Sequence, residues 1–172
     1  MSDDRQPEDD EDLPLDPDLD VAESPAGRAL PVHLRPAYLL LVLVGGTVGT
    51  AAREALSLTF PPLDGIPYAI FGINITGAFV LGLLLEALVR RGPDHGGRRT
   101  ARLMLGTGVL GGFTTYSALA TDAAHLIGNG GAGFGIAYGL ATVIVGAAAT
   151  WAGIAVAAAT HHPHAQQTDG AR

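Results

Sequence analysis

The sequence predicts an all-α membrane protein of four transmembrane helices, the third of them broken mid-membrane. Three observations carry that fold class. Hydrophobic residues make up 48% of the 172-residue chain, and mean hydropathy is positive despite a formal charge of −7. Four apolar stretches, each close to the ~20 residues that cross a ~30 Å hydrocarbon core, alternate with short runs rich in Gly, Pro and Asp. Glycines, threonines and a serine crowd the middle of the third stretch, between Gly106 and Ser117. Glycine and β-branched threonine are mediocre helix formers, and hydroxyls offer carbonyls competing partners. Backbone unwound at that depth persists only where protein, an ion or a water-filled cavity satisfies it. Membrane helices broken in this way hold ions with their freed carbonyls.

Residues 1–34 read as an acidic tail. Met1 to Glu23 carries eleven of the seventeen acidic residues against one arginine, a charge of −10, so the remainder of the chain is about +3. With prolines at 7, 14 and 17 and little to bury, this segment is expected to be disordered. Its acidic start without an apolar core is unlike a signal peptide. The first span covers Ala37 to Ala52 and ends at Arg53; Pro36 suits its first turn. Gly45 and Gly49, four apart, allow a neighbouring helix to approach closely. Phe60 to Gly65 is a turn, and the second span runs from Tyr68 to Val89 with Asn74 a third of the way along. Gly92 to Gly97 is a loop by its breakers. The third span lies within Ala101–Ile127, His125 to Gly133 is a glycine-rich turn, and the fourth span covers Phe134 to Ala159. A polar tail follows over 161–172.

All ten basic residues are arginine. With four spans, the termini and the middle loop share one side, which holds every arginine except Arg53. The positive-inside rule then places both termini in the cytoplasm, in a multi-pass protein of the cell membrane. The absence of cysteine removes disulfide, thiolate and Cys-based metal chemistry. Gly106-x-Gly108-x-x-Gly111 matches a dinucleotide fingerprint, but no strand precedes it. Asn74-Ile75-Thr76 matches a glycosylation acceptor inside a span, where it is unusable. Three histidines (161, 162 and 164) lie in the polar tail. No carboxylate pair, nucleophile–base set or phosphate loop is present, so catalysis has no visible home.

Several polar residues stand out inside or beside the spans. Asn74 is either interhelical glue or an N–H donor turned toward an anion. Arg53 either snorkels to an interface or adds positive potential at a pore mouth. Asp122 is either a capping or snorkelling carboxylate or a residue that closes the third helix. Tyr138 and Thr142, at i and i+4, share one face of the fourth span and either pack locally or form a hydroxyl-lined track.

Together these residues resemble the Fluc (CrcB) family of fluoride channels. Gly45-Gly46-Thr47-Val48-Gly49-Thr50-Ala51-Ala52-Arg53 resembles the family's GGxxGxxxR. Ile73-Asn74-Ile75-Thr76-Gly77-Ala78-Phe79 with Gly82 resembles VNxxGSFxxG. Gly108 to Ser117 resembles GFxGGxTTFS. Three motifs in order at matching spacing cover most of the chain beyond the acidic tail.

The resemblance implies that 35–160 is a four-helix transmembrane channel domain forming an antiparallel dimer with two anion pores. It further implies a structural Na⁺ on the dimer axis, held by the Gly111 and Thr114 carbonyls of both subunits. The pore residues it implies are Asn74, Tyr116, Ser117, Tyr138 and Thr142, with Arg53 at the vestibule. The chain departs from the pattern at Leu119, where an aromatic is usual, and at Tyr116, Ala78, Asp122 and Glu54.

The expected function is passive export of cytoplasmic F⁻ through a membrane-embedded dimer. A subunit inserting both ways should have balanced arginines; this one does not, which points to a heterodimer with an oppositely oriented homologue. Two other readings are a small dual-topology proton-coupled multidrug antiporter and a non-conducting partner subunit of a heterodimeric fluoride channel. The antiporter needs a carboxylate deep in the membrane, whereas Glu54, Glu86 and Asp122 lie toward helix ends.

Overall fold

The computed structural model describes residues 35–160; the two expected tails, 1–34 and 161–172, lie outside the described residues. Helix α1 spans Pro36–Thr59, with proline in its first turn, where a missing N–H costs nothing. It runs beyond Arg53, where the expected first span ended. A charge does not stop a helix; Pro61 does, by forcing Phe60 out of the helical region (φ −119°, ψ 76°). Leu63 and Ile66 then exchange two backbone hydrogen bonds of 3.2 and 2.9 Å around Asp64 and Gly65. Both central residues have positive φ, 50° and 77°, the geometry for which Asp-Gly is favoured. Helix α2 covers Tyr68–Arg90, within a residue of the expected second span.

The third membrane segment is not one regular helix. It begins as α3 (Gly97–Ala101), widens into a π-helical stretch over Arg102–Leu110 and returns to α geometry as α4 (Gly111–Phe113). Thr114 (ψ 153°) and Thr115 (φ −150°, ψ 120°) are extended, and helix resumes as α5 (Tyr116–Gly128). Helix α6 spans Ala132–Thr160. Among the described residues four segments are thus long and apolar enough to cross a membrane, as a multi-pass membrane protein requires.

The helices associate through small residues. α1 lies along the π-helical stretch, so a methyl group on Gly45 would strike the Met104 carbonyl and one on Gly49 the Val109 carbonyl. α2 lies along α6 with Gly82 against the Thr150 carbonyl and Gly153 against the Phe79 carbonyl. In lipid, where burying apolar surface between helices gains little, such backbone approach supplies the packing energy. The small core comprises Ile70, Ile73 and Leu119, flanked by Phe113, Ala118 and Tyr138. Leu43, Val89, Phe134 and Trp151 face outward. An exterior this apolar suits lipid or another membrane subunit, and not water.

Candidate ion-conduction site

The break at Thr114 and Thr115 is built from its flanking sequence. Thr114 closes α4 twice over: its N–H and its Oγ1 both reach the Leu110 carbonyl, each at 2.9 Å. Thr115 opens α5 as its N-cap, accepting the Ala118 N–H on Oγ1 at 3.2 Å, the usual role of a threonine at that position. Its Oγ1 also lies 3.1 Å from the Ser117 hydroxyl. Asn74 then grips the extended residue from α2. Its Oδ1 accepts the Thr115 N–H at 2.8 Å and its Nδ2 donates to the Thr115 carbonyl at 3.1 Å. One side chain thereby satisfies both backbone groups that the break exposes at Thr115, as buried polar groups require.

The break takes the α-helical donors from four carbonyls, those of Gly111, Gly112, Phe113 and Thr114. In a continuous helix Thr115 N–H would go to the Gly111 carbonyl and Ala118 N–H to that of Thr114. Here those donors go to Asn74 and to Thr115 Oγ1. The Gly112 carbonyl has other partners, Thr50 Oγ1 and Arg53 Nε, each at 3.4 Å. Gly77 completes the fit, because a methyl group there would collide with the Thr114 methyl.

Arg53 therefore reaches inward to the break from α1, and also lies 3.8 Å from Glu54. Arg53→Lys keeps the charge and loses the Nε donor. The expected cost is about 1 kcal/mol, the worth of one hydrogen bond, read as a lowered thermal midpoint in detergent.

A groove of about 340 Å³ runs beside the break and brings together Asn74, Thr114, Tyr116, Leu119 and Thr142. Tyr116 is 80% exposed at its edge, whereas Leu119 is 7% exposed and belongs to the core. Arg53, Gly111, Ser117 and Tyr138 are not part of this groove. The hydroxyls expected to form a track already donate to backbone: Tyr138 to the Pro67 carbonyl at 3.3 Å and Thr142 to the Tyr138 carbonyl at 2.8 Å. Asn74, with two N–H groups and one used, retains a donor. Asp122 does not close the third segment, since α5 continues to Gly128. Its Oδ2 is buried without a partner among the described residues.

Sequence reading missed Gly146 and Thr150, which line the same groove. The signal was available, because 138, 142, 146 and 150 continue one helix face at i+4. It also missed Thr50 as a partner of the Gly112 carbonyl; three residues before Arg53, it sits on the same side of α1. No group of three or more His, Asp or Glu side chains able to hold a metal occurs among the described residues.

The family model described as CrcB-like protein, Camphor Resistance (CrcB), matches residues 40–154. The chain belongs to the CrcB family. The match runs from α1 to α6 and so encloses the break, its Asn74 clamp and the groove. The chain is 56% identical over 131 residues to the fluoride-specific ion channel FluC 2 of Leifsonia xyli, covering 76% of this chain and 90% of that one. It is 48% identical over 122 residues to FluC 1 of Cutibacterium acnes (70% and 85% covered). With FluC of Phenylobacterium zucineum the identity is 43% over 124 residues (69% and 94% covered). All three are named fluoride-specific ion channels; none of the three names describes a drug antiporter or a non-conducting partner.

Proposed function

We propose that this CrcB-family chain is a subunit of a fluoride channel that lets F⁻ leave the cytoplasm down its electrochemical gradient. The observation that carries the reading is the Asn74-clamped break, which frees backbone carbonyls and adjoins a groove, in a family whose named relatives are fluoride channels. Hydrogen fluoride is a weak acid that enters membranes neutral and ionises inside, so passive exit suffices. Fluoride is small and tightly hydrated, and a pore must replace its water with donors. The remaining Asn74 N–H and the Tyr116 ring edge, both at the groove, are suited to that task. Thr142, which lines the groove, joins them when its hydroxyl turns from backbone to the ion.

In this reading the break lies at mid-membrane and both termini are cytoplasmic. Two inverted subunits bring four carbonyls, from Gly111 and Thr114 of each, to one point. Four backbone oxygens suit a hard cation such as Na⁺. The ion supplies fixed positive potential near the anion path without standing in it. Exchange of Na⁺ for N-methylglucamine during prolonged dialysis is expected to lower fluoride efflux, with recovery when Na⁺ is restored. Efflux indifferent to Na⁺ argues against the cation.

The arginine imbalance and the buried Leu119 favour assembly with an oppositely oriented homologue that supplies the missing ring. Liposomes loaded with potassium fluoride, with valinomycin carrying the counter-charge, test the proposal. Efflux is expected with this chain and is expected to be faster with a homologue present. No efflux under either condition contradicts it.

A further inference from the structure

The cleft at the opposite end of α2, where that helix turns into α3, is separate from the break and the groove. Its volume is about 580 Å³, and it is lined by Leu85, Leu88 and Val89 on one side and by Asp94, Arg98 and Arg102 on the other. We propose that it is a binding site for an anionic glycerophospholipid, with the phosphate on the arginines and an acyl chain along α2.

The charge is unequal here. Between Glu86 and Arg102 five arginines stand against two carboxylates, a net charge of +3. Glu86 is engaged by Arg90 at 2.6 Å, and Asp94 by Arg102 at 2.7 Å and by Arg99 at 3.7 Å. Both negative charges in the segment are therefore committed to arginines. Arg98 is anchored through Nε to the Pro93 carbonyl at 2.7 Å, which leaves both of its Nη groups without a hydrogen bond among the described residues. Arg102 is likewise held by Asp94 along one edge only, through Nε and one Nη. Two guanidinium groups fixed at one edge, each with N–H donors remaining, suit a phosphodiester oxygen pair.

The other wall explains why the ligand is a lipid and not a free anion. Val89 is 73% exposed and Leu85 38%, in the last turns of a membrane helix directly beside the arginines. An inorganic anion leaves that surface uncovered. A phospholipid matches both walls at once, since its phosphate and acyl chain meet at the depth where membrane helices end. Basic clefts between such helices bind anionic headgroups by the same pairing.

The test is native mass spectrometry of the intact protein, delipidated in neutral detergent and titrated with phosphatidylglycerol or phosphatidylcholine. Phosphatidylglycerol is expected to be retained in preference to phosphatidylcholine. The Arg98→Gln, Arg102→Gln double variant is expected to weaken its retention about thirtyfold, at roughly 1 kcal/mol for each arginine. Because that variant also loses the bonds to Pro93 and Asp94, Val89→Glu is tested beside it. Val89 points outward, so the fold is retained, while the carboxylate opposes the phosphate and breaks the apolar wall. Weakened retention in Val89→Glu supports the site. Equal retention of the two lipids, unchanged retention in both variants, or displacement of the lipid by millimolar inorganic phosphate overturns it.

Discussion

Asn74→Asp is expected to reduce fluoride efflux by more than a hundredfold while leaving the protein soluble in detergent. The substitution is nearly isosteric and keeps the oxygen that accepts the Thr115 N–H at 2.8 Å. It replaces the amide that donates to the Thr115 carbonyl at 3.1 Å with a second oxygen. That carbonyl then loses its donor, at a cost of about 1–3 kcal/mol. The larger effect is on the ion. A unit negative charge ~4 Å from an anion opposes it by about 4 kcal/mol at an effective dielectric near 20, which accounts for the predicted slowing. A fluoride electrode reads the flux, and gel filtration shows whether the protein is still assembled. Efflux at the unsubstituted rate would mean that Asn74 does not face the ion.

Gly49→Val is expected to prevent recovery of a monodisperse protein. The glycine lies where α1 meets the π-helical stretch, and a β-carbon there falls within the van der Waals envelope of the Val109 carbonyl, with the Phe113 N–H also too near at 2.8 Å. Both obstacles are backbone, so no rotamer relieves the clash and the helices must separate. Overpacking costs about 1–3 kcal/mol where side chains can adjust, and more is expected here. Separation also removes Thr50 and Arg53 from the Gly112 carbonyl. Gly72→Ala is the control, since nothing lies within 4 Å of the added carbon; its thermal midpoint is expected to be unchanged or slightly raised. Equal behaviour of the two variants would contradict the close packing of α1 on the third segment.

Much of this arrangement is legible in the residues themselves. Membrane-length apolar runs specify the four spans, and Gly45 with Gly49 marks a close helix contact before its partner is known. The glycine and threonine content of the third span marks where regular helix is weakest. Three features were not legible, each for a physical reason. Arg53 reads as a helix end because charge is costly in lipid, yet its guanidinium has a carbonyl 59 positions away to bond, and α1 continues past it. The π-helical widening over Arg102–Leu110 leaves no compositional trace distinct from a glycine-rich α-helix. The clamp on Thr115 pairs residues 41 apart, and only the α2 crossing gives Asn74 that structural role alongside the anion-facing one proposed for it. The extension of the fourth-span face to Gly146 and Thr150 was within reach, since periodicity alone gives it.

The central claim is that fluoride passes along the groove beside the break. The chain contains no cysteine, so one introduced thiol reports on one place. Gly146 lines the groove, and a side chain there meets only the Ile75 Cδ1 atom at 3.7 Å. Gly139 is on the same helix, outside the groove and with open space around it. Gly146→Cys and Gly139→Cys are each reconstituted, labelled to completion with a charged methanethiosulfonate, and assayed for fluoride efflux. The account predicts that labelling at 146 reduces efflux to the leak of protein-free liposomes, while labelling at 139 leaves it intact. Full labelling at 146 with undiminished efflux would contradict it.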